Sequence, residues 1–381
     1  MRRIPTERLR PGDQLGRDVY ARPDVAPLLR AGSTIADGFR DALLRAGIVS
    51  VWIDDEASRG IEPLEIVSEA TRQRSIHSLR ETFADVSQAS AAGHSLSSET
   101  IDDLHTTASV IAADVESNAA LALALNDLAS FDGYTMQHSL EVAALGLAIG
   151  FRLMRQRGWI DHQGHRRFDH VDEKLIVLGV GLLLHDIGKL EVPAEMVHKN
   201  GPLNRDEWAL MRTHPESGYR LLKGVDGIDA VSRAVVRSHH EQWNGSGYPD
   251  GRKGIGIHQF ARVAAAADVF DAMTSQRSYK APMPTHAAYA YVVARAGTHF
   301  DPEVVDIFRA SVAPYPPGTG VILSDGSHGI VKDVRQGSVS RPVVRVISDA
   351  SGGQVGPVEV DLASASDLAI VTSDEDLNQQ F

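Results

Sequence analysis

Cysteine is absent from the 381 residues. Disulfides, thiolate nucleophiles and cysteine-ligated zinc are therefore excluded together. Long apolar runs are scarce too: the uncharged stretch from Leu175 to Leu184 falls well short of the about 20 residues that span a bilayer. There is no long basic run, and the formal net charge is −12. Such a field gives no reason to expect a nucleic-acid polymer as partner, and an anionic substrate would need local positive charge from a metal or a few Lys and Arg. The opening MRRIPTERLRPGDQL has basic residues but lacks the apolar core of a signal peptide. These absences lead us to expect a soluble, cytoplasmic protein with no membrane contact.

What is present is enough apolar material, 43% of residues, for two or three modest domains. Residues 1–65 alternate short apolar stretches with Gly and Pro, and DGFRDALLRAG reads as a short helix ending at Gly47, which suggests a small β-rich module. Residues 66–125 change to apolar positions at helical spacing in a polar background and read as a helical spacer. Residues 126–312 read as all-helical. From 313 to 381 short β-type segments such as GVILSD, HGIVKDV and RPVVRVIS mark a small β-rich C-terminal appendage. The expected class is mainly α with two β-rich flanks. A homodimer through the 66–125 helices is open, although Ala, Thr and Ser break their apolar seam.

Five stretches of the helical region set ionisable residues among apolar ones. YTMQHSLEV offers His138, and GLLLHDIGKLEVP offers His185, Asp186 and Lys189. MRTHPESGY offers His214, and RSHHEQWNGSGYPDG offers His239, His240 and Glu241. AAADVFDAMTSQRSYK offers Asp268, Asp271, Arg277 and Lys280. Singly each is weak, because a lone histidine on an apolar helix face is more often a satisfied core residue. Together they join neutral imidazoles to carboxylates able to bridge, a donor set for a pair of mid-hardness cations. Burying ionisable groups is costly unless they are paired or metal-bound, and cations would explain why His185 and Asp186 close an apolar run. The triplet His162, His165 and His170 lies in a charge-rich stretch and reads as a solvated insertion.

HDIGK, HHEQWNGSGYPDG and ADVFDAMTSQRSYK, in that order and followed by FDPEVVDIF at 300–308, resemble the HD-GYP family, a branch of the HD hydrolase superfamily. The likeness covers 126–312, and the first 60 or so residues resemble a module often found before that domain. It implies an HD-type all-helical catalytic domain that hydrolyses cyclic di-GMP to linear pGpG or GMP. Carried over by residue, His138, His185, Asp186, His214, His239 and Asp268 would hold two metals, with Asp186 bridging and a shared hydroxide as nucleophile. His240 would be a ligand of larger sites or stand behind the ligands. Lys189 would steady the developing anion, Arg277 and Lys280 would bind the second phosphate, and Asp271 would orient a ligand or contact guanine. The Gly247, Tyr248, Pro249 loop would support the metal residues and offer a contact for a diguanylate cyclase or adaptor. Where some relatives place a third-metal glutamate this chain has Tyr134, a poor ligand because its pKa is near 10, so two metals and pGpG are expected.

The chemistry agrees with that implication. Two cations roughly 3.5–4 Å apart can clamp a phosphodiester, and mixed His and carboxylate donors suit iron or manganese better than structural zinc. Two rivals stand beside it. One is a phosphodiesterase for another cyclic dinucleotide, such as cyclic GMP-AMP. The other is a catalytically idle sensor or scaffold that binds cyclic di-GMP; its signature would be lost ligands, and none of the two-metal set is lost.

Overall fold

A computed structural model describes residues 1–20, 26–92, 96–118, 134–199, 201–275 and 282–373. At the N-terminus β1 (Arg2–Pro5) pairs antiparallel with β2 (Ser50–Ile53), and α1 (Phe39–Arg45) packs nearby. Between them lie isolated bridges, Gln14 to Thr34 and Val19 to Leu29. The alternating segments expected to be strands are thus mostly extended loops over a small core of Ile4, Leu15, Ile35, Leu43 and Ile53.

Two long helices follow, α2 (Glu69–Ala92) and α3 (Ser98–Ser117). Ser97 caps α3 by accepting the Thr100 amide, a standard way to satisfy a free helix N–H. Ile76, Leu79, Phe83 and Val86 on α2, and Ile101, Leu104, Ala108, Ile111 and Val115 on α3, recur at helical spacing and are buried. They belong to the same apolar core as the helices downstream. A buried ion pair joins Arg72 on α2 to Glu141 further along the chain.

The helices downstream carry the chemistry. They are α4 (Tyr134–Arg157), α5 (Val171–Leu183), a 3-10 turn (Ile187–Glu191), α6 (Ala194–Val197), α7 (Arg205–Met211) and α8 (His214–Leu222). After these come α9 (Ala230–Ser238), α10 (Gln259–Thr274), α11 (Thr285–Ala294) and α12 (Pro302–Ser311). A short hairpin of β3 (Trp159–Ile160) and β4 (Arg166–Arg167) interrupts the all-helical pattern expected for 126–312. Central α4 packs against α3, α5 and α10. Asp301 caps α12 and forms a buried pair with Arg262 of α10.

The C-terminal segment forms an antiparallel sheet in the order β8-β7-β6-β5-β9, from β5 (Gly320–Leu323), β6 (His328–Asp333), β7 (Val343–Ser348), β8 (Gln354–Asp361) and β9 (Ile370–Ser373). It touches the N-terminal module: the Arg345 guanidinium donates to the carbonyls of Ala57 at 3.1 Å and Arg59 at 2.6 Å. Among the described residues, no helix is long and apolar enough to cross a membrane.

Candidate metal centre

His185 and Asp186 are not on a helix. α5 ends at Leu183, and the two residues occupy the turn before the 3-10 segment. Three histidines share one local device. The Nδ1 of His185 donates to the Leu182 carbonyl at 2.8 Å, that of His214 to Met211 at 2.8 Å, and that of His239 to Val236 at 2.9 Å. A carbonyl only accepts, so the proton of each ring is fixed on Nδ1 and a bare Nε2 is turned inward. On α4, His138 is held the same way by a carboxylate, its Nδ1 2.6 Å from Asp271 Oδ2.

These Nε2 atoms meet in pairs, His138 with His185 at 3.3 Å and His214 with His239 at 3.2 Å. Opposed lone pairs at that distance repel unless a proton or a metal cation lies between them. The donors fall into two groups, His138–His185–Asp186 and His214–His239–His240, each with its ligand atoms within 4.8 Å of one another. Asp186 joins the groups: its Oδ2 lies 3.5 Å from His185 Nε2, while its Oδ1 lies 3.3 Å from His214 Nε2. Asp268 does likewise, with Oδ1 3.1 Å from His138 and Oδ2 3.6 Å from His240.

Protonation follows from burial. Desolvation pushes His214 down to about 4 and His240 down to about 3. It also lowers His185, and it lowers His239 strongly. Burial would raise the Asp186 and Asp268 carboxyls, but Lys189 and His185 beside the first, and the His138 hydrogen bond and His240 beside the second, hold both well below the usual range. His138 is the exception. Burial lowers it, yet the hydrogen bonds to Asp268 and Asp271 outweigh that and raise it to about 9. Neutral imidazoles and ionised carboxylates converging in a buried pocket fit two divalent cations of intermediate hardness.

Several residues stand differently from a plain ligand list. Lys189 Nζ lies 2.5 Å from Asp186 Oδ2 and is partly exposed, so it edges the centre. Asp271 is buried behind His138 and also accepts the Ser275 hydroxyl at 3.0 Å. His240 joins the second donor group. Glu241 is a loop clamp: its two oxygens accept the amides of Asp250 at 2.7 Å and Arg252 at 3.0 Å. Gly247 folds back so tightly that a Cβ there would lie 2.3 Å from the Gln242 nitrogen. The loop turns the Tyr248 ring onto His240, centroids 4.8 Å apart, and the Arg212 guanidinium lies 4.4 Å from the centre of that ring. Sequence reasoning passed over Arg212; its only signal was a position two residues before His214.

Tyr134 opens α4, and its side chain lies outside the described residues, as do Arg277 and Lys280 entirely. His162, His165 and His170 are exposed around the β3–β4 hairpin, and among the described residues they form no metal-type group.

An α-helical scaffold that gathers paired imidazoles and two carboxylates, each reaching both donor groups, defines a metal-dependent hydrolase of the HD class. Residues 163–304 match the HD domain family, and residues 320–378 match the KOW domain associated with HD domain. Over 374 residues the chain is 31% identical to a cyclic di-GMP phosphodiesterase of Pseudomonas aeruginosa, covering 92% of this chain and 86% of that one. It is 35% identical over 194 residues to a cyclic di-GMP phosphodiesterase response regulator of Xanthomonas campestris pv. campestris, covering 49% and 51%. It is also 39% identical over 125 residues to a 3'3'-cGAMP-specific phosphodiesterase of Vibrio cholerae, covering 32% and 24%. The chain thus spans most of the first relative and about half or less of the other two. This chain belongs to the HD-GYP family of metal-dependent phosphodiesterases.

Proposed function

We propose that the chain hydrolyses cyclic di-GMP to linear pGpG at a two-cation centre. The observation that carries this reading is the pair of three-donor groups joined through the two oxygens of Asp186. His138, His185 and Asp186 would hold one cation, and His214, His239 and His240 the other, with Asp268 reaching both. When bound, the cations supply Lewis-acid polarisation of the phosphoryl oxygen and an activated water at neutral pH. Net reaction adds water across one P–O3′ bond, leaving a 5′-phosphate and a protonated 3′-hydroxyl.

The chain's own residues prepare that step. The carbonyls of Leu182, Met211 and Val236 and the Asp271 carboxylate keep four imidazoles in the ligating tautomer. Lys189, at the edge of the centre, turns from Asp186 to a phosphoryl oxygen and offsets the charge that develops there. Arg277 and Lys280 take the second phosphate in this reading. The nitrogen-rich, thiolate-free donor set favours iron or manganese. Tyr134 in place of a carboxylate supports two cations and pGpG as product.

The domain limits 1–65, 66–125, 126–312 and 313–381 and a cytoplasmic location are part of the same proposal, as is the 247–249 loop as a surface for a diguanylate cyclase or adaptor. A homodimer through the 66–125 helices would use their outer surface, since the apolar faces of α2 and α3 pack inside this chain. Three Vibrio cholerae relatives named as 3'3'-cGAMP-specific phosphodiesterases are consistent with the cyclic GMP-AMP reading without favouring it. The test is chromatography of products after incubating manganese- or iron-loaded protein with cyclic di-GMP, with Asp186→Ala beside it. Asp186-dependent pGpG is expected. No product from a two-cation protein, with turnover of cyclic GMP-AMP instead, would overturn the substrate assignment.

A further inference from the structure

A chain of net charge −12 must recruit a dianionic substrate with local cations. Two described cations stand near the centre, Lys189 and Arg212. Lys189 pairs with Asp186 at 2.5 Å and, in the reading above, serves the phosphoryl group at the cations, which leaves the second phosphate to other groups. Arg212 sits in the turn between α7 and α8, two residues before His214, and is exposed. Among the described residues, no carboxylate pairs with its guanidinium; its one side-chain partner is the Tyr248 ring, 4.4 Å away.

That ring is itself fixed. His240 also packs against it, 4.8 Å between centroids and 32° between planes. The loop behind it is clamped by the buried Glu241, which holds the Asp250 and Arg252 amides. Tyr248 therefore links a donor of the second group to a guanidinium whose N–H bonds meet no carboxylate among the described residues. A stacked guanidinium keeps its in-plane donors free and loses little freedom when it binds an oxyanion.

We propose that Arg212, presented by Tyr248, is a substrate-binding residue that holds a phosphate of the cyclic dinucleotide, with Tyr248 as its positioning residue. The inference rests on the phosphodiesterase reading above. It goes further by naming a cation outside the HDIGK and RSYK motifs and by giving the GYP tyrosine a task toward substrate.

The test is steady-state kinetics of the full, metal-loaded chain on cyclic di-GMP, with metal content measured on each sample. Arg212→Ala should raise KM roughly 10- to 100-fold, the loss expected for one charge-assisted hydrogen-bonding group, with a larger change in KM than in kcat and an unaltered metal content. Arg212→Lys should recover part of KM by charge alone. Tyr248→Leu should raise KM less than Arg212→Ala, and the double variant should be no worse than Arg212→Ala, because the ring acts only through the guanidinium. An active parent whose KM is unmoved by Arg212→Ala overturns the inference and leaves the phosphodiesterase reading standing. A metal-loaded parent that does not turn over cyclic di-GMP overturns both. A variant that loses metal together with activity would show that Arg212 supports the ligands, which also overturns the inference.

Discussion

Gly188 offers the most direct check on how the two donor groups are held together. It lies in the 3-10 turn after Asp186, and a Cβ there would sit 1.9 Å from the His214 carbonyl oxygen and 2.4 Å from the Gly218 amide nitrogen. Both neighbours are backbone, so no side chain can rotate out of the way. Ordinary contact begins near 3.4 Å, and Gly188→Ala must therefore part the turn from α8 by roughly 1.5 Å, an overpacking strain of about 1–3 kcal/mol. Asp186 and His214 stand on opposite sides of that contact, with Oδ1 and Nε2 3.3 Å apart. Two donors on one cation can be no farther apart than twice a metal–ligand bond, about 4.2 Å. The displacement carries this pair to about 5 Å, so a cation can no longer be shared between them. The expected result is a fall from two cations per chain to one by elemental analysis, with turnover down at least about 100-fold. Thermal unfolding should drop by about 2–10 °C. A Gly188→Ala chain with two cations and parental turnover would refute the claim that backbone contact sets the bridge.

Other consequences are as open to measurement. Arg72→Leu alone should cost about 3–5 kcal/mol by leaving Glu141 charged and buried, while Arg72→Leu with Glu141→Leu should recover most of it in urea unfolding; equal loss in both would contradict the pairing. Glu241→Ala leaves the Asp250 and Arg252 amides without their carboxylate acceptor and should lower stability by about 1–3 kcal/mol, and KM should rise with it as Tyr248 loosens. The metal-free chain should have a stability optimum near pH 6.5. His214 and His240 fall to about 4 and about 3, so the unfolded chain binds more protons below 6.5 and stability is lost as pH drops through that window. His138, raised to about 9, contributes fully below 6.5 and its share is lost as pH climbs through 9. Urea midpoints across pH in the presence of chelator would show this, and a flat profile would count against it. Asp271→Asn should weaken metal affinity roughly 10- to 100-fold, read by competition with a metallochromic dye, because a neutral amide accepts more weakly from His138 and can turn its own N–H groups to the ring, which unfixes the tautomer; unchanged affinity would deny it that role.

The residues by themselves pointed to side chains that the fold brings together and to much of the architecture. His138, His185, Asp186 and Asp268 were legible as polar groups in apolar surroundings, while His214, His239 and His240 were legible only through motifs that resemble the family's. The helical class of 66–125 and 126–312 and the β-type tail were legible for a local reason, since periodicity is a property of neighbouring residues. Only the tertiary structure decided how the donors divide. The pairing of His138 with His185 and of His214 with His239, and the split of Asp186 between them, depend on backbone contacts such as Gly188 against α8. It also decided that Asp271 stands behind His138, that Glu241 clamps a loop, and that α2 and α3 share the catalytic core. The Arg212–Tyr248–His240 cluster had no signature in the chain, because a cation over a ring is a contact between distant segments, and packing alone brings those segments together.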